Sequence, residues 1–247
     1  MYFTYPLSFF YEFNPFLIAE RIYELPKEQT GFQNESSDSK KKRASKIISI
    51  FRKEYPDTKC HLDFTNPLEL LVATILSAQC TDDRVNQVTK ELFAKYETAA
   101  DYANLKPPEL EKTIRPTGFF RNKARAIINC CKVLADKYGG TVPSSMDKLI
   151  ELDGVGRKSA NVVLGNYFGI AGIIVDTHVR RLGKRLELSD KTDPDKIEKG
   201  FTELIPGKEW TFFSNALSDH GRMICKARKP RCRACKISHL CPSVELN

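Results

Sequence analysis

The stretch LDGVGRKSANVVL, residues 152–164, places a single lysine, Lys158, directly after a glycine-rich turn. An amine at such a place could hold a phosphate or act as a nucleophile. A phosphate loop of the NTPase type needs G-x-x-x-x-G-K-[ST] after a strand, but Leu152 and Arg157 stand where its two glycines would be. The preceding SSMDKLIEL has a helical pattern, so the sequence predicts a helix, a Gly-Val-Gly turn and a second helix.

This predicted hairpin has the composition of a site for DNA phosphates. Gly154 and Gly156 allow backbone torsions that other residues resist. Amides at the start of the second helix attract an anion, and a DNA phosphate can bind there without any base being read. A hairpin turn with no ligand is the alternative, but it would explain the glycines and not the adjacent cations Arg157 and Lys158.

Four of the eight cysteines form a C-terminal cluster with the spacing C-x6-C-x2-C-x5-C: Cys225, Cys232, Cys235 and Cys241. The N-terminal sequence MYFTYPLSFFYEF has neither a basic n-region nor a clean apolar core, so we expect an intracellular protein without a secretory signal. In that setting four thiolates within seventeen residues predict a metal site rather than two disulfides. A zinc ion and an iron–sulfur cluster are both compatible with four cysteine ligands.

The charge distribution predicts a polyanionic partner. The net charge is +8, but residues 1–39 contain six acidic and two basic residues, which leaves 37 basic and 25 acidic residues in the remainder. Such a basic body favours nucleic acid, with a basic solvated surface as the alternative. Five cations within the cysteine loop are the predicted phosphate contacts: Lys226, Arg228, Lys229, Arg231 and Arg233.

The segments that must position these residues are almost all helical in pattern. Asn66 is a predicted N-cap with Pro67 at the first helical position. Gly139 and Gly140 are a predicted helix stop, and Asp176 is a predicted N-cap after the apolar IAGIIV. Alternating strand patterns of useful length are absent, and no apolar run approaches the roughly 18 residues of a membrane span. The sequence therefore predicts an all-α protein with no membrane segment.

LDGVGRKSANVVL followed by VDTHVRRLGKRL strongly resembles the helix-hairpin-helix DNA glycosylases of the endonuclease III family. The resemblance extends from about Lys41 to Pro242 and includes LSAQCTD, TGFFRNKA and the cysteine cluster. It implies two helical domains that flank a DNA-binding cleft. One would span 62–170, and the other would join 41–61 to 171–247 and carry the cluster. Residues 1–40 would be an appended, partly disordered segment.

The resemblance implies base-excision repair of double-stranded DNA that contains damaged bases or abasic sites. Lys158 would attack the sugar carbon that bears an oxidised pyrimidine and form a Schiff base, and β-elimination would then break the strand. Arg157 and the helix N-terminus disfavour the ammonium form of the amine. Asp176 would stabilise the positive charge that develops as the base leaves, and His178 could support this carboxylate.

The resemblance also assigns the cofactor and the residues that enter the duplex. The x6-x2-x5 spacing is similar to the loop that holds one 4Fe-4S cluster in this family, which favours iron–sulfur over zinc. Gln79 of LSAQCTD would fill the gap left by the extruded nucleotide. Phe119 or Phe120 would wedge into the opposite strand, with Phe119 at a position where an aliphatic residue is common. The structural alternatives are a helix end at Gln79 and a phenylalanine pair in the core.

Two other functions are compatible with parts of this pattern. An adenine mismatch glycosylase shares the hairpin and the cysteine loop, but usually has Tyr or Ser where Lys158 stands and carries a further C-terminal domain. A non-enzymatic DNA-binding module could use the same hairpin and basic loop, but would not need Lys158 together with Asp176. We expect a monomer and, in a bacterium, a cytoplasmic location at the nucleoid.

Overall fold

The computed structural model describes Phe32 and residues 35–244, and these residues contain eleven α-helices and no strand. The all-α prediction is therefore confirmed, and none of the described helices is long and apolar enough to cross a membrane. The other residues of the predicted segment 1–40, and residues 245–247, lie outside the described residues. The helices are α1 (Ser37–Glu54), α2 (Pro67–Leu76), α3 (Asp82–Lys95), α4 (Ala99–Ala103), α5 (Pro107–Ile114), α6 (Phe120–Tyr138), α7 (Met146–Ile150), α8 (Arg157–Asn166), α9 (Thr177–Arg185), α10 (Pro194–Leu204) and α11 (Trp210–Met223).

Helix α1 begins earlier than its apolar pattern indicates. The side chain of Ser36 accepts a hydrogen bond from Ser39 N–H at 3.2 Å, and Asp38 adds a negative charge to the first turn. The last four residues of the predicted N-terminal segment 1–40 are therefore helical. Chain contacts divide the protein into Met1–Glu35 and Ser36–Asn247, and the first unit is described only at Phe32 and Glu35.

Several helix ends follow their local sequence signals. Asn66 accepts a hydrogen bond from Glu69 N–H at 2.9 Å at the start of α2, where Pro67 occupies the first helical position. Helix α6 ends at Gly139 and Gly140, which have φ values of +58° and +80°. These predictions are confirmed. They could be made from sequence because caps and glycine stops depend on residues that are close together in the chain.

The buried side chains form two separate apolar clusters within Ser36–Asn247. The first contains residues from α2 to α8, such as Leu70, Leu92 and Ile127. The second contains residues of α1, α9, α10 and α11, such as Phe51 of α1 and Phe213 of α11. Residues distant in sequence thus share the second core, and the division of the chain into two domains stays a prediction.

An apolar connection joins the end of α8 to the start of α9. Ile173, Ile174 and Val175 in this connection are buried. Asn161 of α8 donates its side-chain N–H to Ile173 O at 2.9 Å, and Ser214 of α11 accepts Ile174 N–H at 2.9 Å. Because both polar backbone groups are satisfied, the connection can run through the interior. It thereby holds the start of α9 in place.

Candidate active site and DNA-facing surface

The turn between α7 and α8 requires glycine at one of its two glycine positions. Gly154 has a φ of +76°, and a Cβ atom built there would lie 2.8 Å from the Cβ of Ala126. Gly156 has a φ of −92° and open space around it, so the expectation of unusual torsions is wrong for this residue. Its extended backbone is typical of a residue that precedes the first turn of a helix.

Lys158 lies in the first turn of α8 with its side chain exposed. It lines one cleft together with Asp176 and Gln79, although the three residues come from different elements. The N-terminus of α8 adds partial positive charge beside the amine. The structure therefore gathers the three predicted residues at one location.

Arg157, beside Lys158, has a partner that the sequence does not reveal. Its Nε and Nη2 atoms donate to the two carboxylate oxygens of Glu198 in α10, at 2.9 and 2.8 Å. About half of the Arg157 side chain stays exposed, whereas Glu198 is largely buried. This bidentate pair joins the hairpin to α10 and offsets part of the arginine charge near Lys158.

Asp176 is the N-cap of α9, as predicted. Its Oδ1 atom accepts Val179 N–H at 2.7 Å, and its Oδ2 atom accepts the hydroxyl of Ser218 at 2.5 Å. His178 makes a different contact, in which its Nδ1 atom accepts from Arg181 Nη2 at 3.1 Å. Burial lowers the pKa of His178, which favours the neutral ring. The residue that orients the aspartate is therefore Ser218, 42 positions away, for which the sequence carries no local signal.

Gln79 and Phe119 lie on two loops with unusual backbone geometry. Gln79 is exposed with a φ of +52°, and Phe119 is 62% exposed with a φ of +48°. Phe120 instead packs against the first apolar cluster. Phe119 is the most exposed of the large hydrophobic side chains among the described residues. The structure thus assigns the exposed position to Phe119 and the core position to Phe120.

The four clustered cysteines line one mostly apolar cavity beyond the end of α11. Burial, followed by repulsion from the other three cysteines, raises the pKa of the Cys235 thiol to about 11. Ionising all four thiols therefore requires a compensating positive centre. No three His, Cys, Asp or Glu side chains of the described residues are grouped so as to hold a single metal ion. All four cysteines nevertheless line the same cavity, so one bound group could contact each of them.

Two arginines of α9 hold the start of the cysteine loop. Arg181 donates to Cys225 O at 3.0 Å and to Gly221 O at 2.9 Å. Arg185 donates to Lys226 O at 2.7 Å and to Cys225 Sγ at 3.2 Å. Because a guanidinium group can only donate, the sulfur of Cys225 is the acceptor in this last bond. These contacts fix the backbone at the start of the cysteine loop against α9.

The loop also presents the predicted cations on its outer side. Lys229 adopts a positive φ of +52°, which marks a sharp turn at the centre of the loop. A phosphate backbone can approach such a group of cations without displacing core residues. All five predicted phosphate contacts are exposed: Lys226, Arg228, Lys229, Arg231 and Arg233.

The helix-hairpin-helix and the lysine that it presents to a cleft place this protein in the class of helix-hairpin-helix DNA repair proteins. Residues 72–207 match the family model described as "HhH-GPD superfamily base excision DNA repair protein". Endonuclease III of Synechocystis sp. is 51% identical over 208 residues, which cover 84% of this chain and 95% of that relative. The chain belongs to the endonuclease III family.

Two solved structures of family members are similar to this protein over most of its length. A non-covalent endonuclease III–DNA complex has a TM-score of 0.79 and 46% identity, covering 82% of this chain and 95% of that one. A trapped covalent endonuclease III–DNA intermediate has a TM-score of 0.78 and 46% identity, covering 82% and 96%.

Proposed function

We propose that this protein is a bifunctional DNA N-glycosylase and abasic-site lyase of base-excision repair, with Lys158 as its nucleophile. The observation that carries this proposal is the cleft in which Lys158, Asp176 and Gln79 come together. Family membership supports the activity, because an endonuclease III has been trapped as a covalent intermediate with DNA. An amine is the group that can form such a bond with an opened sugar.

The reaction begins when the neutral Lys158 amine attacks the sugar carbon that bears the damaged base. The bond between that carbon and the base breaks, and the base leaves with the electron pair and takes up a proton. The bond between the same carbon and the ring oxygen then breaks, a proton passes from the nitrogen to that oxygen, and the opened sugar is left joined to Lys158 as an imine. The imine acidifies the adjacent sugar proton, and its loss expels the 3′ phosphate. Hydrolysis of the imine then returns the free amine.

Asp176 stabilises the transition state of base removal. A carboxylate beside the sugar favours the positive charge that develops as the base departs. Its two oxygens are held by Val179 N–H and the Ser218 hydroxyl, so the group needs little reorganisation during the reaction. The cap of α9 and the catalytic carboxylate are therefore one residue with compatible roles.

Double-stranded DNA with a damaged base or an abasic site is the substrate, and several surfaces engage it. We propose that Gln79 fills the gap left by the extruded nucleotide and that Phe119 wedges into the opposite strand. The amides near Gly154, Gly156 and Arg157 bind a phosphate, as do the five cations of the cysteine loop. We propose that the DNA lies between two domains, formed by 62–170 and by 41–61 with 171–247. The two apolar clusters support this division, with Ile174 of the first cluster as an exception.

The four cysteines are proposed to bind one 4Fe-4S cluster rather than zinc. The cavity that all four cysteines line and the bond from Arg185 to the sulfur of Cys225 support one bound group with four sulfur ligands. When bound, the cluster orders the basic loop and contributes charge, and no step of the proposed reaction depends on electron transfer. The ligands are Cys225, Cys232, Cys235 and Cys241.

Oxidised pyrimidines are the proposed damaged bases, and the proposed working state is a monomer at the chromosome. Lys158 argues against the adenine mismatch enzymes, which usually have Tyr or Ser at this position. The covalent chemistry of the family argues against a DNA-binding module without activity. A panel of duplexes that each carry one defined lesion would establish the order of preference.

Borohydride trapping on a duplex with an oxidised pyrimidine tests the proposed nucleophile. Lys158→Ala should abolish both the trapped adduct and strand cleavage, while DNA binding stays largely intact, because only an amine can form the imine. Lys148→Ala is the matched control, since Lys148 is an exposed lysine of the same hairpin, in α7. A wild-type yield of adduct from Lys158→Ala would refute the assignment.

A further inference from the structure

Lys123 is a buried lysine near the start of α6 that the reaction described above does not use. Its residue is only 5% exposed. Its Nζ atom donates to Leu76 O at 2.7 Å and to Thr117 O at 2.8 Å. Burying an ammonium group is costly unless it is well hydrogen-bonded, so these two bonds account for its position in the interior.

Both acceptors of Lys123 are the last residues of helical turns. Leu76 ends α2, and Thr117 ends the 3-10 turn Arg115–Thr117. Carbonyl groups at helix ends lack partners within the helix and carry partial negative charge. A cation between two such ends satisfies both of them at once. Lys123 therefore joins two elements that are 41 residues apart in the chain.

The loops that interact with DNA begin at these same two carbonyls. Gln79 lies three residues after Leu76, and Phe119 lies two residues after Thr117. Both have a positive φ, which residues other than glycine maintain only when the surrounding structure holds them there. Lys123 thus holds the base of each loop just before the residue that has the unusual conformation.

We propose that Lys123 is a positioning residue that fixes the spacing between the Gln79 loop and the Phe119 loop, so that both side chains enter the duplex together. This inference rests on the proposed function. A gap filler and a wedge that act on opposite strands must arrive in register with the leaving nucleotide, because an unfilled gap lets the base return to the stack. A shared ammonium group couples the two loops through one rigid contact.

Lys123→Met tests this role, since methionine fills the space of the lysine stem without an N–H donor. Base removal from a duplex lesion should slow by about 10-fold or more, because loop misplacement disturbs the reacting geometry. Strand cleavage at an abasic site in a single strand needs no extrusion and should stay within about two-fold. Fluorescence of 2-aminopurine beside the lesion should show weaker base extrusion. Lys132→Met, an exposed lysine of the same helix, is the control.

A double-mutant cycle shows whether Lys123 acts through the loops. In a chain that also carries Gln79→Ala and Phe119→Ala, Lys123→Met should have little further effect on duplex activity. Full additivity, an equal loss on both substrates at an unchanged melting temperature, or no loss on the duplex would each overturn the proposal.

The remaining outcomes distinguish a failure of this proposal from a failure to fold and from a failure of the proposed function. Should Lys123→Met fail to fold, Lys123→Gln keeps a donor for one carbonyl and carries the same test. Failure of both variants to fold would overturn the proposal by making Lys123 a requirement of the fold. A wild-type protein inactive on both substrates would refute the proposed function, whereas an unaffected Lys123→Met in an active background would refute only the role of Lys123.

Discussion

Asp176→Asn should separate the two roles of this residue, the helix cap and the catalytic carboxylate. Asparagine retains an oxygen for Val179 N–H, which Asp176 binds at 2.7 Å, and asparagine caps helices as well as aspartate does. The new amide faces the Ser218 hydroxyl, which can rotate to accept a hydrogen bond instead of donating one. We therefore expect the folded structure to tolerate the change.

The expected magnitudes differ strongly between stability and rate. Asp176→Asn should change the melting temperature little, whereas Asp176→Ala removes the cap at a cost of about 1 kcal/mol. For a chain of this size that cost corresponds to roughly 2–4 °C in melting temperature. Loss of one group that stabilises the transition state typically lowers a rate by about 10²–10³-fold, and we expect this for base removal by both variants.

Single-turnover kinetics on a duplex lesion, with a thermal melt of each variant, measure these quantities. Asp193→Ala is the matched control, because Asp193 caps α10 by accepting Lys196 N–H at 3.0 Å and is exposed. It should show the same loss of stability with an unchanged rate. Wild-type turnover by Asp176→Asn would leave this residue only its role as a cap. A slow Asp193→Ala would show that the loss of rate follows from stability alone.

Two further predictions concern the cysteine loop and the N-terminal segment. Wild-type protein should be brown with stoichiometric iron, and Cys232→Ser should lower iron content and soluble yield while Cys60→Ser retains the iron, because Cys60 lines the other cleft. An active, colourless protein that contains zinc would show the metal assignment to be wrong. Deleting residues 1–35, which leaves the Ser36 cap of α1 in place, should keep both rates within a few-fold and tighten DNA binding most at low salt, because the segment is acidic. A large loss of activity at unchanged stability would contradict this expectation.

The helical architecture and the location of the chemistry could be predicted because their signals are local. Asn66 with Pro67 marks the start of α2, and Asp176 marks the start of α9. Each such signal depends on hydrogen bonds between residues three or four positions apart. The start of α1 was missed because its cap, Ser36, lies in a polar stretch without an apolar pattern.

Conclusions drawn from neighbours in sequence fail where the partner is distant. Arg157 is adjacent to Lys158, so the sequence suggests an unshared cation beside the amine. In the fold its guanidinium group pairs with Glu198, 41 residues away. Gly156 shows the reverse error, since its glycine-rich context suggests special torsions that the backbone does not use. Residue type alone therefore reveals neither the ion-pair partner of Arg157 nor the backbone torsions of Gly156.

Helix α11 shows why the supporting residues of this site could not be found from sequence. Three polar side chains lie on one face of this helix, and each one reaches a different wall of the cleft: Ser218, Asp219 and Arg222. They bind Asp176 of α9, His61 of the segment before α2, and Asp82 of α3. These pairs are 42, 158 and 140 residues apart in sequence. The motifs identify the residues that react. The side chains of α11 that set the geometry of the cleft form no recognisable sequence pattern, because their partners are distant in the chain.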